Sequence, residues 1–246
     1  MKTSTTNAST KPHVVFKQMP LELETELITE FLDSKWKDRI TKVYPDFLNA
    51  SKIKGQAKTK FVKEKIIDIR KQLAEKMALG KQNIEANWRL IEEKCLSELS
   101  KIIQTDWPAR EISALISINP ICPRFIETWE FSVCPDNKTP NMIIAHELSH
   151  FLYFQKLHEV IPKIKKVEYE FPNNPWVLSE IVTTIILNDV RLKKILGGKE
   201  SYYAEHEDIK IDGRLLVHIV HDLYDSLVME ENNFAKFLIE IHKLKF

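Results

Sequence analysis

The sequence predicts a mostly helical α+β protein with one small β-sheet, and three observations carry that expectation. Apolar residues recur at helical spacing through the first hundred positions, two short runs near 112–118 and 125–133 switch to strand alternation, and the helical period then returns around two histidines four residues apart. With 246 residues and 43% hydrophobic content, the chain can bury the core of one large domain or two small ones. The expected layout is a partly ordered tail over 1–18, a helical segment over 19–105 and a site-bearing domain over 106–246. That domain divides into a sheet with its histidine helix (106–160) and a helical lobe (161–246).

In chain order, residues 1–18 are polar apart from Val14-Val15-Phe16, and no function is assigned to them. Over 20–44, Leu21, Leu23, Leu27, Ile28, Phe31 and Leu32 form a helical stripe that Trp36 and Ile40 extend, and Pro45 ends or kinks it. Residues 49–60 read as a lysine-rich loop. A second stripe through Val62, Ile66, Ile69, Leu73 and Met77 stops at Gly80, and a third, over 82–104, is marked by Ile84, Trp88, Ile91, Cys95, Leu99 and Ile102. Such stripes are core faces, with lysine and glutamate on the solvated side.

After Trp107-Pro108 the period becomes two. Ile112, Ala114, Ile116 and Ile118 alternate with Ser113, Leu115, Ser117 and Asn119, and 120–123 breaks the chain. Phe125, Glu127, Trp129, Phe131 and Val133 then share one side of a second strand, either the second arm of a hairpin or an edge open to strand addition by a peptide. Thr139 and Pro140 suit a helix start, and that helix runs to about residue 160. Residues 171–174 form a turn, after which Pro175 opens an apolar helix that lasts until Gly197-Gly198. A helix from about 213 and a last one over 233–243 are packing elements.

Charge and cysteine content exclude several classes. The 36 Lys and Arg nearly balance 35 Asp and Glu, giving a net charge of +1 and no bulk attraction to nucleic acid or an anionic membrane. No apolar run reaches the ~18 residues of a membrane span, and the N-terminus lacks the apolar core of a signal peptide, so a cytoplasmic protein is expected. Cys95, Cys122 and Cys134 are odd in number without C-x-x-C spacing, which favours reduced thiols over a disulfide framework or a cysteine-based zinc site. Cys122 and Cys134 flank the second strand and are near enough in sequence to approach each other or a metal. Nothing in the sequence sets an oligomeric state.

The most specific chemistry lies in His146-Glu147-Leu148-Ser149-His150. Residues i and i+4 of a helix share a face, so both imidazoles can reach one ion, while Glu147, about 100° round the helix, stands beside it. This is the H-E-x-x-H arrangement of zinc hydrolases, two histidine ligands with the glutamate as general base. A catalytic site of this kind needs a third ligand. Glu180 is the lone carboxylate inside the apolar helix among Val177, Ile181 and Ile185, where a buried charge requires a partner. Glu168, Glu170, Asp189 and His206 are the alternatives. His158 would be roughly 12 Å beyond His150 on a continuous helix, too far for the same ion. Tyr153 and Lys156 stand where a metzincin would carry glycine and histidine.

With Glu180 following His150 by thirty residues on a second helix, the pattern resembles the gluzincin group of zinc metallopeptidases, over roughly 110–200. The resemblance implies a zincin-like catalytic domain: a small twisted sheet packed on the motif helix, a helical lobe carrying the third ligand, and a cleft between them bordered by the strand through Trp129. It implies one Zn2+ per chain held by His146, His150 and Glu180, and a peptide or protein substrate hydrolysed through zinc-bound water with Glu147 as base. In the wider N-E-x-x-S-D pattern of some gluzincins, Ser179, Thr183 and Thr184 stand for Asn, Ser and Asp. Helical phase puts Thr184 and Asn188 on the Glu180 face, as candidates to buttress the ligands, and Asp189 opposite. Gluzincins often set a later His or Tyr near the developing oxyanion; Tyr202, Tyr203, His206, His218 and His221 are available. Two other readings accompany this one. The first is a non-proteolytic regulatory or interaction protein that keeps the fold, consistent with the long N-terminal helical segment. The second is another zinc amide hydrolase, although deformylase-like enzymes add a Cys ligand.

Overall fold

Strands far apart in sequence assemble the sheet. The computed structural model describes residues 11–136 and 138–246. β1 (His13–Gln18) pairs in parallel with β2 (Glu111–Ile116), from His13 opposite Glu111 to Gln18 opposite Ile116. β4 (Glu130–Val133) lies parallel on the other side of β2, and β3 (Arg124–Phe125) runs antiparallel beyond it, giving the order β1-β2-β4-β3.

The expected tail is therefore corrected from residue 13 onward, while residues 1–10 lie outside the described residues. Val14-Val15-Phe16 is too short to show strand periodicity by itself. What makes it a strand is the partner nearly a hundred residues away, against which Val14 and Phe16 are buried. The expected hairpin between the two runs does not form, because β2 and β4 are parallel; the chain turns back instead within the second run, from β3 to β4. The run 125–133 divides at Trp129, whose φ of 58° is left-handed and interrupts the alternation.

Five helices cross over between β1 and β2: α1 (Leu21–Phe31), α2 (Lys37–Val43), α3 (Gly55–Gln72), α4 (Ala74–Arg89) and α5 (Glu92–Ile103). Pro45 opens a 3-10 stretch, Pro45–Lys52, and α3 starts at Gly55, so the loop expected over 49–60 shrinks to the two residues between them. Gly80 does not end a helix. It lies within α4 where a Cβ would come within 2.6 Å of Pro135 Cβ, so its role is close approach. The third stripe instead breaks after Arg89. Glu92, first in α5, accepts from Trp88 Nε1 at 3.1 Å and from the Val14 amide at 2.6 Å, tying the break to β1.

Glu24 on α1 is fully buried and accepts from Arg70 Nε at 2.7 Å, from the Ile118 amide at 2.8 Å and from Ser117 Oγ. A buried carboxylate with this many donors is satisfied, and it pins α1 to the end of β2 where the chain turns toward the site. The central helix is α6 (Pro140–Val160), packed under the sheet through Phe151, whose ring is 5.2 Å from Trp129 and 6.2 Å from Phe131. α7 (Asn174–Asn188) lies beside α6.

The apolar helix expected to reach Gly197 ends at Asp189, which starts α8 (Val190–Leu196). Asp189 accepts from the Arg191 amide at 2.9 Å, from the Arg191 guanidinium and from the Tyr224 hydroxyl at 2.8 Å, and these bonds hold the break. The C-terminal part adds α9 (Ala204–Glu207), the pair β5 (Lys210–Ile211) and β6 (Arg214–Leu215), α10 (Leu216–Tyr224) and α11 (Phe234–Ile241). One buried cluster runs from Val14 to Ile241, across the positions where the sequence suggested separate segments. Among the described residues, no helix is long and apolar enough to cross a membrane.

Candidate metal centre

α6 and α7 meet with their polar residues facing each other inside an otherwise apolar contact. His146 Nε2 lies 3.0 Å from His150 Nε2 and 3.1 Å from Glu180 Oε2, and His150 Nε2 lies 3.4 Å from Glu180 Oε1. Tetrahedral coordination with bonds of about 2.0–2.1 Å separates ligand atoms by roughly 3.3–3.4 Å. The three groups therefore form a triangle of the right size, and together they can hold a metal ion. His150 and Glu180 are buried, at 0% and 3% exposure.

Electrostatics bind the group together. Burial alone would lower the His146 pKa, but the hydrogen bond and charge of Glu180 outweigh it and raise the value to about 9. Burial, joined by Arg124, lowers His150 to about 3. Burial pushes Glu180 upward, yet the surrounding imidazoles and Arg124 hold it well below the usual carboxylate range. A proton and a cation compete for the same Nε2 of His146, so ion binding at this group is coupled to proton release.

Both imidazoles present Nε2 to the centre and turn Nδ1 outward. Glu200 Oε1 is 3.8 Å from His146 Nδ1, and Thr183 Oγ1 is 3.5 Å from His150 Nδ1. Hydrogen-bond acceptors on this side fix the ring orientation of metal-binding histidines; Thr183 is at the limit of that range, and Glu200, beyond it, acts on His146 through its charge. Thr184, expected in that role, bonds instead to its own helix through the Glu180 carbonyl at 3.1 Å. A one-residue difference in helical phase, about 100°, puts Thr183 on the His150 side. Asn188 acts one step away: its side chain donates to the Glu200 carbonyl at 2.9 Å and accepts from the Glu200 amide at 3.0 Å, holding the segment that brings Glu200 to His146.

Glu147 is 7% exposed, faces the same cavity and has burial as the leading cause of a pKa raised to about 7. Its Oε2 has no hydrogen-bond partner among the described residues. An orphaned buried carboxylate oxygen beside two histidines and a second carboxylate is what a site with a further ligand or water would complete.

The cavity above this group has a volume of about 660 Å³. α1 contributes Leu27, Glu30 and Phe31 to it, α2 contributes Arg39, and the segment 121–125 forms another wall. The N-terminal helices thus build the cleft. Trp129 does not line it; β3 does, because the left-handed turn at Trp129 sends that ring onto Phe151. Of the expected oxyanion donors, Tyr203 lines the cavity. Tyr202, His218 and His221 border a separate pocket beyond Glu200, and His206 is packed behind Trp176 and Tyr203 at ring distances of 5.5 and 5.4 Å. Asp189 is engaged by Arg191 and Tyr224, and Glu168 accepts from the Lys165 amide at 2.7 Å, so neither joins the centre; Glu170 is on the cavity wall. Cys122 lines the cavity, Cys134 is buried elsewhere, and no disulfide joins them.

Two groups at the centre, Glu200 and Arg124, were missed by sequence reasoning. Arg124, on β3, puts Nη1 3.3 Å from Glu180 Oε1 and Nη2 3.5 Å from the Tyr169 carbonyl, with its guanidinium carbon 5.4 Å from the Phe154 ring centre. Its side chain is 10% exposed and Nε has no partner among the described residues. A single arginine in an alternating run carries no signal; only the edge position of β3 reveals it. Comparisons with protein-family models, curated proteins and solved structures find no match to this chain.

Proposed function

We propose that this chain is a zinc-dependent peptidase of the gluzincin type, with a zincin-like arrangement around His146, His150 and Glu180. The observation that carries the reading is the convergence of those three groups, with His146 and Glu180 on the wall of a cavity and, beside them, the buried Glu147 carboxylate, whose Oε2 has no hydrogen-bond partner among the described residues. Zinc at this group supplies Lewis acidity toward a carbonyl oxygen and lowers the pKa of a coordinated water.

The chain's own residues do the rest. Glu147 takes a proton from the attacking water and returns it to the leaving amine, a role suited to a carboxyl whose pKa is about 7. Glu200 and Thr183 keep the Nε2 atoms of His146 and His150 aimed inward. Arg124 is assigned as the cationic donor at the substrate carbonyl, in a position that none of the expected Tyr or His donors except Tyr203 approaches. A peptide or protein in extended form is the substrate, and a cytoplasmic setting belongs to the same reading.

The test is cleavage of an unstructured protein and of a peptide library by the purified chain, with metal content measured in parallel. Activity lost in Glu147→Gln while about one zinc per chain stays bound supports the proposal. Wild-type inactivity with bound zinc favours a regulatory protein, and full zinc retention in His146→Ala overturns the ligand set.

A further inference from the structure

The turn between α1 and α2 sends Lys35 into a box of aromatic rings. Its ammonium lies 3.8 Å from the centre of the Phe171 ring, 4.9 Å from Trp36 and 5.4 Å from Trp176, and it donates to Glu205 Oε1 at 2.9 Å. Trp36, Phe171 and Trp176 come from three separate segments, and all three line the cavity that reaches His146 and Glu147. Aromatic faces and one carboxylate around a cation are how ammonium groups are recognised, since the ring quadrupoles attract the charge and the carboxylate accepts its protons.

We propose that this box is a substrate subsite for an ammonium group, occupied in the present state by the protein's own Lys35. Two further observations favour a ligand role over a purely structural clasp. The three rings of the box are shared with the cleft wall, and outside the metal-holding group and Glu147 that wall carries three carboxylates, Glu30, Glu170 and Glu200, against Arg39 and Arg124. An isolated ion pair such as Lys35–Glu205, whose side chains are 34% and 53% exposed, also contributes little by itself, so exchange for another ammonium is inexpensive. A substrate held at the metal centre would present its ammonium at high effective concentration and displace Lys35. The ammonium comes from a lysine side chain or a free N-terminus. The subsite deepens the peptidase reading and rests on it for its role in turnover, but its occupancy requires neither metal nor catalysis.

The experiment is a tryptophan-fluorescence titration of the full-length chain at constant ionic strength. Three probes are used: N-acetyl-lysine methylamide, glycine methylamide and N-acetyl-norleucine methylamide. Lys35→Ala is expected to give saturable binding of at least one ammonium probe at concentrations about tenfold below those needed by wild type, which must first displace its own lysine. A response to the lysine compound alone assigns a side-chain subsite, and a response to the glycine compound assigns a terminal one. Lys35→Met fills the box with an uncharged chain and should not respond, and adding Phe171→Ala, at an exposed ring, to Lys35→Ala should weaken binding severalfold. Should Lys35→Ala fail to fold, the wild type still decides the matter, because saturable binding of an ammonium probe but not of norleucine is expected there at higher concentration. Equal responses to lysine and norleucine, or no response to either ammonium, overturn the proposal. His146→Ala should leave the titration unchanged, so failure of the metal assignment and failure of the subsite are read separately.

Discussion

Replacing Glu180 by glutamine preserves volume and removes one charge at the point where α6, α7 and β3 meet. Glu180 is 3% exposed and faces His146, Arg124 and His150 at 3.1, 3.3 and 3.4 Å. Breaking a buried ionic group by removing one partner costs ~3–5 kcal/mol, and because the amide oxygen still accepts a hydrogen bond the lower end applies, about 3 kcal/mol. For a chain of 246 residues, at ~2–4 °C per kcal/mol, the melting temperature in chelator should fall by about 6–12 °C. Zinc adds a second readout. At 100 times its dissociation constant it should stabilise the wild type by about 2.7 kcal/mol, or about 5–11 °C by the same conversion, and the Glu180→Gln protein at that zinc concentration should show little of this rise. Calorimetry with chelator and with graded zinc measures both. A variant that keeps the wild-type zinc response refutes Glu180 as the third ligand, and one that melts with the wild type in chelator refutes the buried pairing with Arg124.

Three other outcomes are expected. Glu200→Gln should weaken zinc binding by about 10- to 100-fold, because the ring of His146 loses its outward carboxylate; competition with a chromophoric chelator measures it, and unchanged affinity would remove Glu200 from the centre. Asp189→Asn should cost about 2 kcal/mol in urea unfolding at neutral pH, since its buried oxygens accept from Arg191 and Tyr224. Burial raises the Asp189 pKa, but those bonds outweigh it and hold the folded value below the usual one, so its contribution is present above about pH 4 and lost as the pH falls further. The gap between wild type and variant should thus close in acid, and a constant gap would contradict the assignment. Gly80→Ala should destabilise by about 1 kcal/mol, because a Cβ 2.6 Å from Pro135 costs ~1–3 kcal/mol and exceeds the ~0.5–1 kcal/mol helix gain; a more stable variant would show that Pro135 yields easily.

The helical periods of the first hundred residues were legible because amphipathic stripes are local, but their ends were not. Gly80 looks like a stop and is a contact with Pro135, whereas Asp189 looks like helix interior and is a break held by Arg191 and by Tyr224 from a later helix. Trp129 belongs to an alternating run, and only its left-handed backbone moves the cleft border from that residue to β3. Thr184 and Thr183 differ by one position, which is inside the error of assigning a helix phase without its neighbour.

By itself the sequence determined that His146 and His150 share a helix face with Glu147 beside them, and that Glu180 is a charge in an apolar helix in need of a partner. These follow from spacing and from the cost of burying a carboxylate, both properties of short segments. The tertiary structure alone decided that Glu180 meets both histidines, that Arg124 stands at the same point, that Glu200 backs His146 and that Lys35 enters a box of rings from three segments. β1 belongs with them, since its pairing with β2 joins residues nearly a hundred positions apart. Such contacts arise from the packing of whole elements, and no local pattern of residues encodes which distant side chain will arrive.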